Sequence, residues 1–357
     1  MDERVGRITK WLGGGFAYPF KVDVFISEKC NLNCVFCGFA RTDKRKKELT
    51  PEQLISIVDE AGRMGAGVFG ILGGEPFARR DAILEVMSRI KEYGMDGSIV
   101  TNGTLLNDEA INTVIRIGWD LIRFSIDGSV SGIHDKLRGQ DGAFDRAVKA
   151  VTRMQELKKQ LDTNKPTVEI NTVFCRENID DLPNIYRMAG GLGVGRVYLL
   201  PMIELVPELE HLKITREDGT RVAESIRKAK KICNEYGILS NLKEIEGNYL
   251  FTKSNEMDEV ILKKAEMQKQ IPCFLPWYGM CVSADGGVTP CAVLSGDESY
   301  GNVNYNTLNE IWIGEPFSKL RSDMKERRLP KACSRCCMPL VDENNMIREE
   351  LSRMQVK

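Results

Sequence analysis

Cys30-Asn31-Leu32-Asn33-Cys34-Val35-Phe36-Cys37 places three thiols within eight residues, directly after a strand-like run at Val22–Ser27. Three thiolates at this spacing can wrap three corners of a cubane iron–sulfur cluster, because cysteine ligation is what such clusters require. The fourth iron is then left without a protein ligand, and an open coordination position separates a reactive metal centre from a closed structural one. A zinc knuckle whose fourth ligand lies elsewhere is the rival reading of the same three residues. The CxxxCxxC spacing at a strand end, ahead of further strand–helix repeats, favours the cluster.

From about Lys21 to Asn241, short β-rich runs alternate with amphipathic helical patterns. The predicted strands are Val22–Ser27, Val68–Leu72, Gly97–Thr101, Leu121–Ile126, Thr167–Phe174 and Val197–Pro201. Several are continuous apolar runs, as expected where a parallel sheet is buried on both faces. Thr50-Pro51-Glu52-Gln53 reads as a helix start, with an N-cap threonine, proline at the first helical position and glutamine three residues on. Leu54, Ile55, Val58, Ala61 and Met64 continue as its apolar stripe, and Gly65 ends it. Further helices are predicted at Arg79–Tyr93, Asp108–Ile117 (capped by Asn107, ended by Gly118), Ala143–Lys158, Asp180–Leu192 and Thr215–Tyr236. Six such repeats make an α/β domain with right-handed crossovers, as a partial (β/α) barrel or a doubly wound sheet. In both, function sits in the loops after the strand C-termini.

The chain has 357 residues, 42% of them apolar and 28% charged, with a formal charge of −1. That balance gives no global pull toward nucleic acid or an anionic membrane. The basic runs Lys44 to Lys47 and Arg227 to Lys231 lie among acids and read as solvated faces. No signal peptide or transmembrane pattern is visible, so a cytoplasmic protein with reduced thiols is expected. Eleven cysteines then point to metal rather than disulfides. With only His134 and His211 present, a Ser–His–Asp triad or a histidine-rich metal site is hard to build.

The predicted organisation is an N-terminal extension at 1–20, the α/β domain at 21–241, a charged helical bridge at 242–270, a small cysteine-rich domain at 271–340 and a C-terminal helix at 341–357. The small domain holds Cys273-Phe-Leu-Pro-Trp277, Cys281, Asp285-Gly-Gly-Val-Thr-Pro-Cys291 and Cys333-Ser-Arg-Cys336-Cys337. A region this rich in cysteine depends on metal for its fold.

The stretch from about Lys21 to Leu200 resembles the radical S-adenosylmethionine (SAM) superfamily, whose hallmark is CxxxCxxC after the first strand of a partial (β/α)₆ barrel. Gly73-Gly74-Glu75-Pro76 matches the family's GGEP motif, which receives the amino group of the cofactor's methionine portion. Two glycines permit close backbone approach, and Glu75 supplies an acceptor for an ammonium. Thr101-Asn102-Gly103 and Ser125-Ile126-Asp127-Gly128 resemble family positions that bind the cofactor's ribose and carboxylate. By the same likeness Arg138 pairs with that carboxylate, a surface salt bridge being the alternative, and Leu199 touches the adenine. The resemblance implies one-electron reduction of a [4Fe–4S] cluster on Cys30, Cys34 and Cys37. Cleavage of SAM to a 5′-deoxyadenosyl radical and abstraction of a substrate hydrogen would follow. It further implies a reductant such as flavodoxin or ferredoxin.

The cysteine-rich region resembles the SPASM/Twitch extension of these enzymes. No cysteine follows Cys337, so one auxiliary [4Fe–4S] cluster is expected, on Cys273, Cys291, Cys333 and Cys336, with Cys337 as a substitute for Cys336. These spacings look like those of the Twitch dehydrogenases that act on aminocyclitols. A structural zinc on the same four thiolates is the alternative. With a second redox centre, the expected reaction is oxidation of a small molecule such as a sugar or aminocyclitol, or of a peptide side chain. Radical epimerisation, with Cys281 or Cys337 returning the hydrogen, and peptide maturation are the alternatives. A zinc or iron–sulfur carrier is the non-enzyme reading.

Overall fold

Six β-rich runs separated by amphipathic helices should line up as parallel strands, and they do. The computed structural model describes residues 2–38, 47–202, 207–249, 271–294, 299–336 and 338–355. Cys337, most of the predicted bridge and residues 44–46 of the first basic run lie outside the described residues. Strands β1 (Lys21–Phe25), β2 (Val68–Leu72), β3 (Asp96–Thr101), β4 (Leu121–Ser125), β5 (Thr167–Phe174) and β6 (Arg196–Pro201) pair in sequence order, each parallel to the next. A short β7 (Leu239–Ser240) follows β6 at the far edge. Between them run α2 (Pro51–Arg63), α3 (Arg80–Glu92), α4 (Asp108–Arg116), α5 (Ser131–Arg138), α6 (Ala143–Gln160), α7 (Leu182–Gly191) and α8 (Gly219–Tyr236). The architecture is a TIM-like partial barrel.

The strands do not bury both faces equally, which corrects the reading of continuous apolar runs. Val22 and Val24, Phe69 and Ile71, Ile122 and Phe124, and Val168 and Ile170 point outward into a common core with the helices. The alternate residues form the concave face, and several are polar: Lys21, Asp23, Ser98, Arg123, Ser125, Glu169 and Asn171. Period-two alternation sets this division. Arg123 donates Nε to Glu169 on the neighbouring strand at 2.8 Å.

Helix α2 starts as the sequence predicts. Thr50 Oγ1 accepts from Gln53 N at 3.3 Å, and Gln53 Oε1 accepts from Thr50 N at 2.9 Å. Its buried face is Leu54, Ile57, Val58 and Ala61. Ile57 joins the predicted stripe, because a 3.6-residue turn brings it beside Leu54 and Ala61, and Ile55 packs half-buried at its edge.

The cysteine-rich region adds two strands to the same sheet. Strand β8 (Gly279–Val282) pairs parallel to β1, with Lys21 opposite Gly279 and Asp23 opposite Cys281. Strand β9 (Val288–Thr289) closes that edge antiparallel. Helices α9 (Leu242–Tyr249), α10 (Leu308–Ile313), α11 (Glu315–Lys325) and α12 (Met338–Gln355) lie in the last third of the chain. The N-terminal extension is helical at α1 (Glu3–Leu12), with Val5 and Ile8 fully buried. Trp312 Nε1 donates to Ala17 O at 2.9 Å, and the Arg321 guanidinium stacks between Trp11 and Trp312, 4.6 and 4.3 Å from their centroids. Among the described residues no helix is long and apolar enough to cross a membrane.

Beside β6, the buried Asn241 side chain replaces a missing strand partner, accepting from Leu199 N at 2.8 Å and donating to Leu199 O at 2.9 Å. Asn241→Ala therefore leaves two backbone groups unpaired and is expected to cost about 1–3 kcal/mol. Thermal unfolding of the variant checks this; an unchanged midpoint would show that water replaces the amide.

Candidate functional site

The three thiols of CxxxCxxC gather at the mouth of the barrel, where Cys30, Cys34 and Cys37 share one small cluster with Leu32, Phe36 and Ala143. Two contacts fix the loop. On one side Gly74 N donates to Ser27 O at 2.7 Å and Glu75 N to Lys29 O at 2.9 Å. A Cβ on Gly73 would meet Ser27 O at 2.5 Å, and one on Gly74 would meet Lys29 O at 2.3 Å. The close approach that these glycines permit is thus to the chain's own lead-in to Cys30. On the other side the C-terminal turn of α5 accepts from the loop, Leu137 O from Val35 N at 3.0 Å and Arg138 O from Asn33 N at 3.3 Å.

Glu75 is fully buried. Its Oε1 accepts from Phe77 N at 3.0 Å and Thr101 Oγ1 at 2.8 Å, and its Oε2 from Asn102 N at 2.7 Å. Burial pushes its carboxyl above the usual carboxylate range, and these donors oppose the push. An arriving ammonium would complete its partners. Asn102 serves two ends, since its Nδ2 lies 3.0 Å from Asn31 Oδ1 and 3.7 Å from Cys30 Sγ.

Ser125 ends β4 on the concave face, opposite Asn171 of β5. Asn171 Oδ1 is buried with no hydrogen-bond partner among the described residues. Motif reading missed Asn171; its signal is an inward polar residue paired to Ser125, which requires the register. Leu199 is a correction. Its side chain is fully buried in the outer core with the helices, so the adenine contact expected of it does not fall to that side chain. Tyr198 and Leu200 take the alternate, concave positions of β6. For Arg138 the surface salt bridge given as its alternative is ruled out. The residue is buried, with Nε 2.6 Å from Asp127 Oδ2 and Nη1 3.8 Å from Cys34 Sγ.

Cys273, Cys291, Cys333 and Cys336 line one small cavity, whose other walls include Leu275, Leu294 and Met324. Asn344 Nδ2 lies 3.7 Å from Cys273 Sγ. Cys281 is buried with Phe25 and Ala284, and burial pushes its thiol well above the usual range.

The donor sets suit iron–sulfur clusters. Leu32 N at 3.4 Å and Asn102 Nδ2 face Cys30 Sγ, and an iron-bound thiolate accepts such N–H groups. Burial pushes the thiols of Cys30, Cys34 and Cys273 up, so metal binding must displace their protons. No three described Cys, His, Asp or Glu side chains converge on one ion. A cubane needs no such convergence, because each thiolate binds its own iron.

Residues 24–189 match the sequence profile of the Radical SAM superfamily, and residues 273–337 match SPASM, an iron-sulfur cluster-binding domain. The chain carries a radical SAM domain followed by a SPASM domain. It is therefore an enzyme that uses a [4Fe–4S] cluster with SAM, and its SPASM domain implies auxiliary iron–sulfur clusters. Fe-coproporphyrin III synthase of Methanosarcina barkeri (strain Fusaro / DSM 804) is 27% identical over 325 residues, covering 87% of this chain and 79% of that protein. AdoMet-dependent heme synthase of the same organism is 28% identical over 305 residues, 82% of each. The SAM-bound structure of Streptococcus suis SuiB superposes with a TM-score of 0.66 at 17% identity, covering 92% of this chain and 74% of that one. The same protein has been solved with its precursor peptide SuiA, and there the TM-score is 0.65 at 20% identity. At these identities the SuiB structures show a shared fold.

Glu75→Gln keeps the shape of the side chain and removes its charge. A charge-assisted hydrogen bond carries about 1.5–3 kcal/mol, so SAM affinity is expected to fall at least about tenfold. Anaerobic equilibrium dialysis on the reconstituted protein measures it, and unchanged affinity removes Glu75 from the site.

Proposed function

We propose that this enzyme oxidises its substrate by two electrons, one leaving with a hydrogen atom and one passing to an auxiliary cluster. The observation that carries this is the pairing of β8 with β1. Strand β1 leads into Cys30, and β8 lies between Cys273 and Cys291, so both cysteine sets ride on neighbouring strands of one sheet. In this reading Cys30, Cys34 and Cys37 hold the first cluster and leave one iron for SAM. Glu75 accepts the SAM ammonium, while Ser125 and Asn171 border the space beside its ribose. Together, cluster and SAM supply abstraction of a hydrogen atom from an unactivated carbon. The four thiolates of Cys273, Cys291, Cys333 and Cys336 hold the auxiliary cluster in an apolar cavity, and full cysteine ligation suits electron transfer better than substrate binding.

The relatives named for haem synthesis support a tetrapyrrole as substrate, and the peptide-bound neighbour supports the peptide side chain expected from the sequence. A flavodoxin or ferredoxin is the proposed electron donor. Cys281 has no exposed surface (1%), which favours a packing role over hydrogen return.

Anaerobic reconstitution should give about eight irons per chain, for two [4Fe–4S] clusters, and release 5′-deoxyadenosine on reduction. Cys30→Ala, Cys34→Ala and Cys37→Ala are each expected to abolish that release. Cys291→Ala should retain about half the iron and SAM cleavage but lose net substrate oxidation. One zinc in place of half the iron would remove the auxiliary cluster from the reading.

A further inference from the structure

A buried ion pair stands behind the first cysteine cluster, and neither metal ligation nor the SAM ammonium contact uses it. Asp127 is fully buried just after β4, and three of its polar groups are held by hydrogen bonds. Its Oδ1 accepts from Val173 N at 2.8 Å, and its carbonyl accepts from Asn178 Nδ2 at 3.0 Å. Its backbone N–H donates to His134 Nδ1 at 3.1 Å. That leaves Oδ2 for the Arg138 guanidinium, at 2.6 Å from Nε. Arg138 in turn directs Nη1 at Cys34 Sγ, at 3.8 Å, and lies 5.7 Å above the Phe36 ring. Asp127 and His134 stand before and within α5, whose last turn grips the cysteine loop, so the pair is tied to the loop through backbone as well as side chains.

We propose that Asp127 is a positioning residue for the first cluster, holding Arg138 against Cys34 and offsetting its positive charge so that the cluster stays strongly reducing. The inference rests on the assignment of Cys34 as a cluster ligand. A guanidinium beside a thiolate favours the more negative, reduced cluster, because a nearby positive charge stabilises added negative charge in a low-dielectric site. An adjacent carboxylate cancels part of that field. With Val173, Asn178 and His134 holding its other polar atoms, the Asp127 carboxylate stays against the Arg138 guanidinium. Removing the carboxylate alone therefore unmasks a positive charge next to the cluster, while removing the guanidinium alone unmasks a negative one.

The two single variants must then move the cluster in opposite directions, which a merely structural role does not predict. The test is a dithionite titration of the reconstituted full-length protein followed by electron paramagnetic resonance. The signal that changes on adding SAM reports the first cluster, and iron per chain is measured in parallel. Asp127→Asn is expected to shift its midpoint to more positive values by at least a tenfold change in the reduced-to-oxidised ratio, about 59 mV for one electron. Arg138→Gln is expected to shift it to more negative values, and the double variant to return toward the wild type. Unchanged midpoints at full iron content, shifts of the same sign, or loss of iron in both single variants overturn the inference. A wild-type chain that loads no cluster on Cys30, Cys34 and Cys37 instead overturns the proposed function. A wild type that cleaves SAM, with a midpoint indifferent to Asp127, overturns the inference alone.

Discussion

The mouth of the barrel depends on backbone meeting backbone where no Cβ intervenes. Gly73 and Gly74 let the loop after β2 lie against Ser27 to Lys29, and Gly139 lets the end of α5 lie against Asn33, whose carbonyl would be 2.2 Å from an added Cβ. Gly139 also has φ +65°, a conformation that side chains other than glycine adopt at a cost. Between these two contacts the cysteine loop is fixed before any ligand arrives. Glu75 and Arg138 come with the same two contacts, one acidic and one basic group delivered by the backbone that holds the thiols. Position and charge at the site are thus products of the same packing.

Much of the fold was legible because its signals are local. The β-branched runs at Val68–Leu72 and Thr167–Phe174 coincide with strands to the residue. The Thr50–Gln53 capping box forms as its spacing requires. What escaped is short or depends on distant partners. Helix α5 has eight residues, with glycine and histidine among them, too few for a periodic stripe. Strands β8 and β9 have four and two residues, and their reason to exist is the open edge of β1, which the local sequence cannot show.

At the candidate site, the residue types were legible and their partners were not. CxxxCxxC and Gly-Gly-Glu-Pro announce thiols and a carboxylate at fixed spacing. Whether Arg138 meets solvent or Asp127 depends on how α5 returns across the cysteine loop, and no periodicity encodes that. Leu199 shows the same limit from the other side: a one-residue step on a strand exchanges the concave face for the outer core. Asn171 became visible only through its register with Ser125.

The pairing of β1 with β8 joins the beginning of the chain to its last third, and this bears on synthesis. As the chain leaves the ribosome, β1 can pair with β2 early, but its other edge must wait until Gly279 to Val282 emerge. Through that interval an unpaired edge stands beside reactive thiols, the arrangement most open to wrong pairing. Sheet closure and burial of the second cysteine set therefore become late, coupled events.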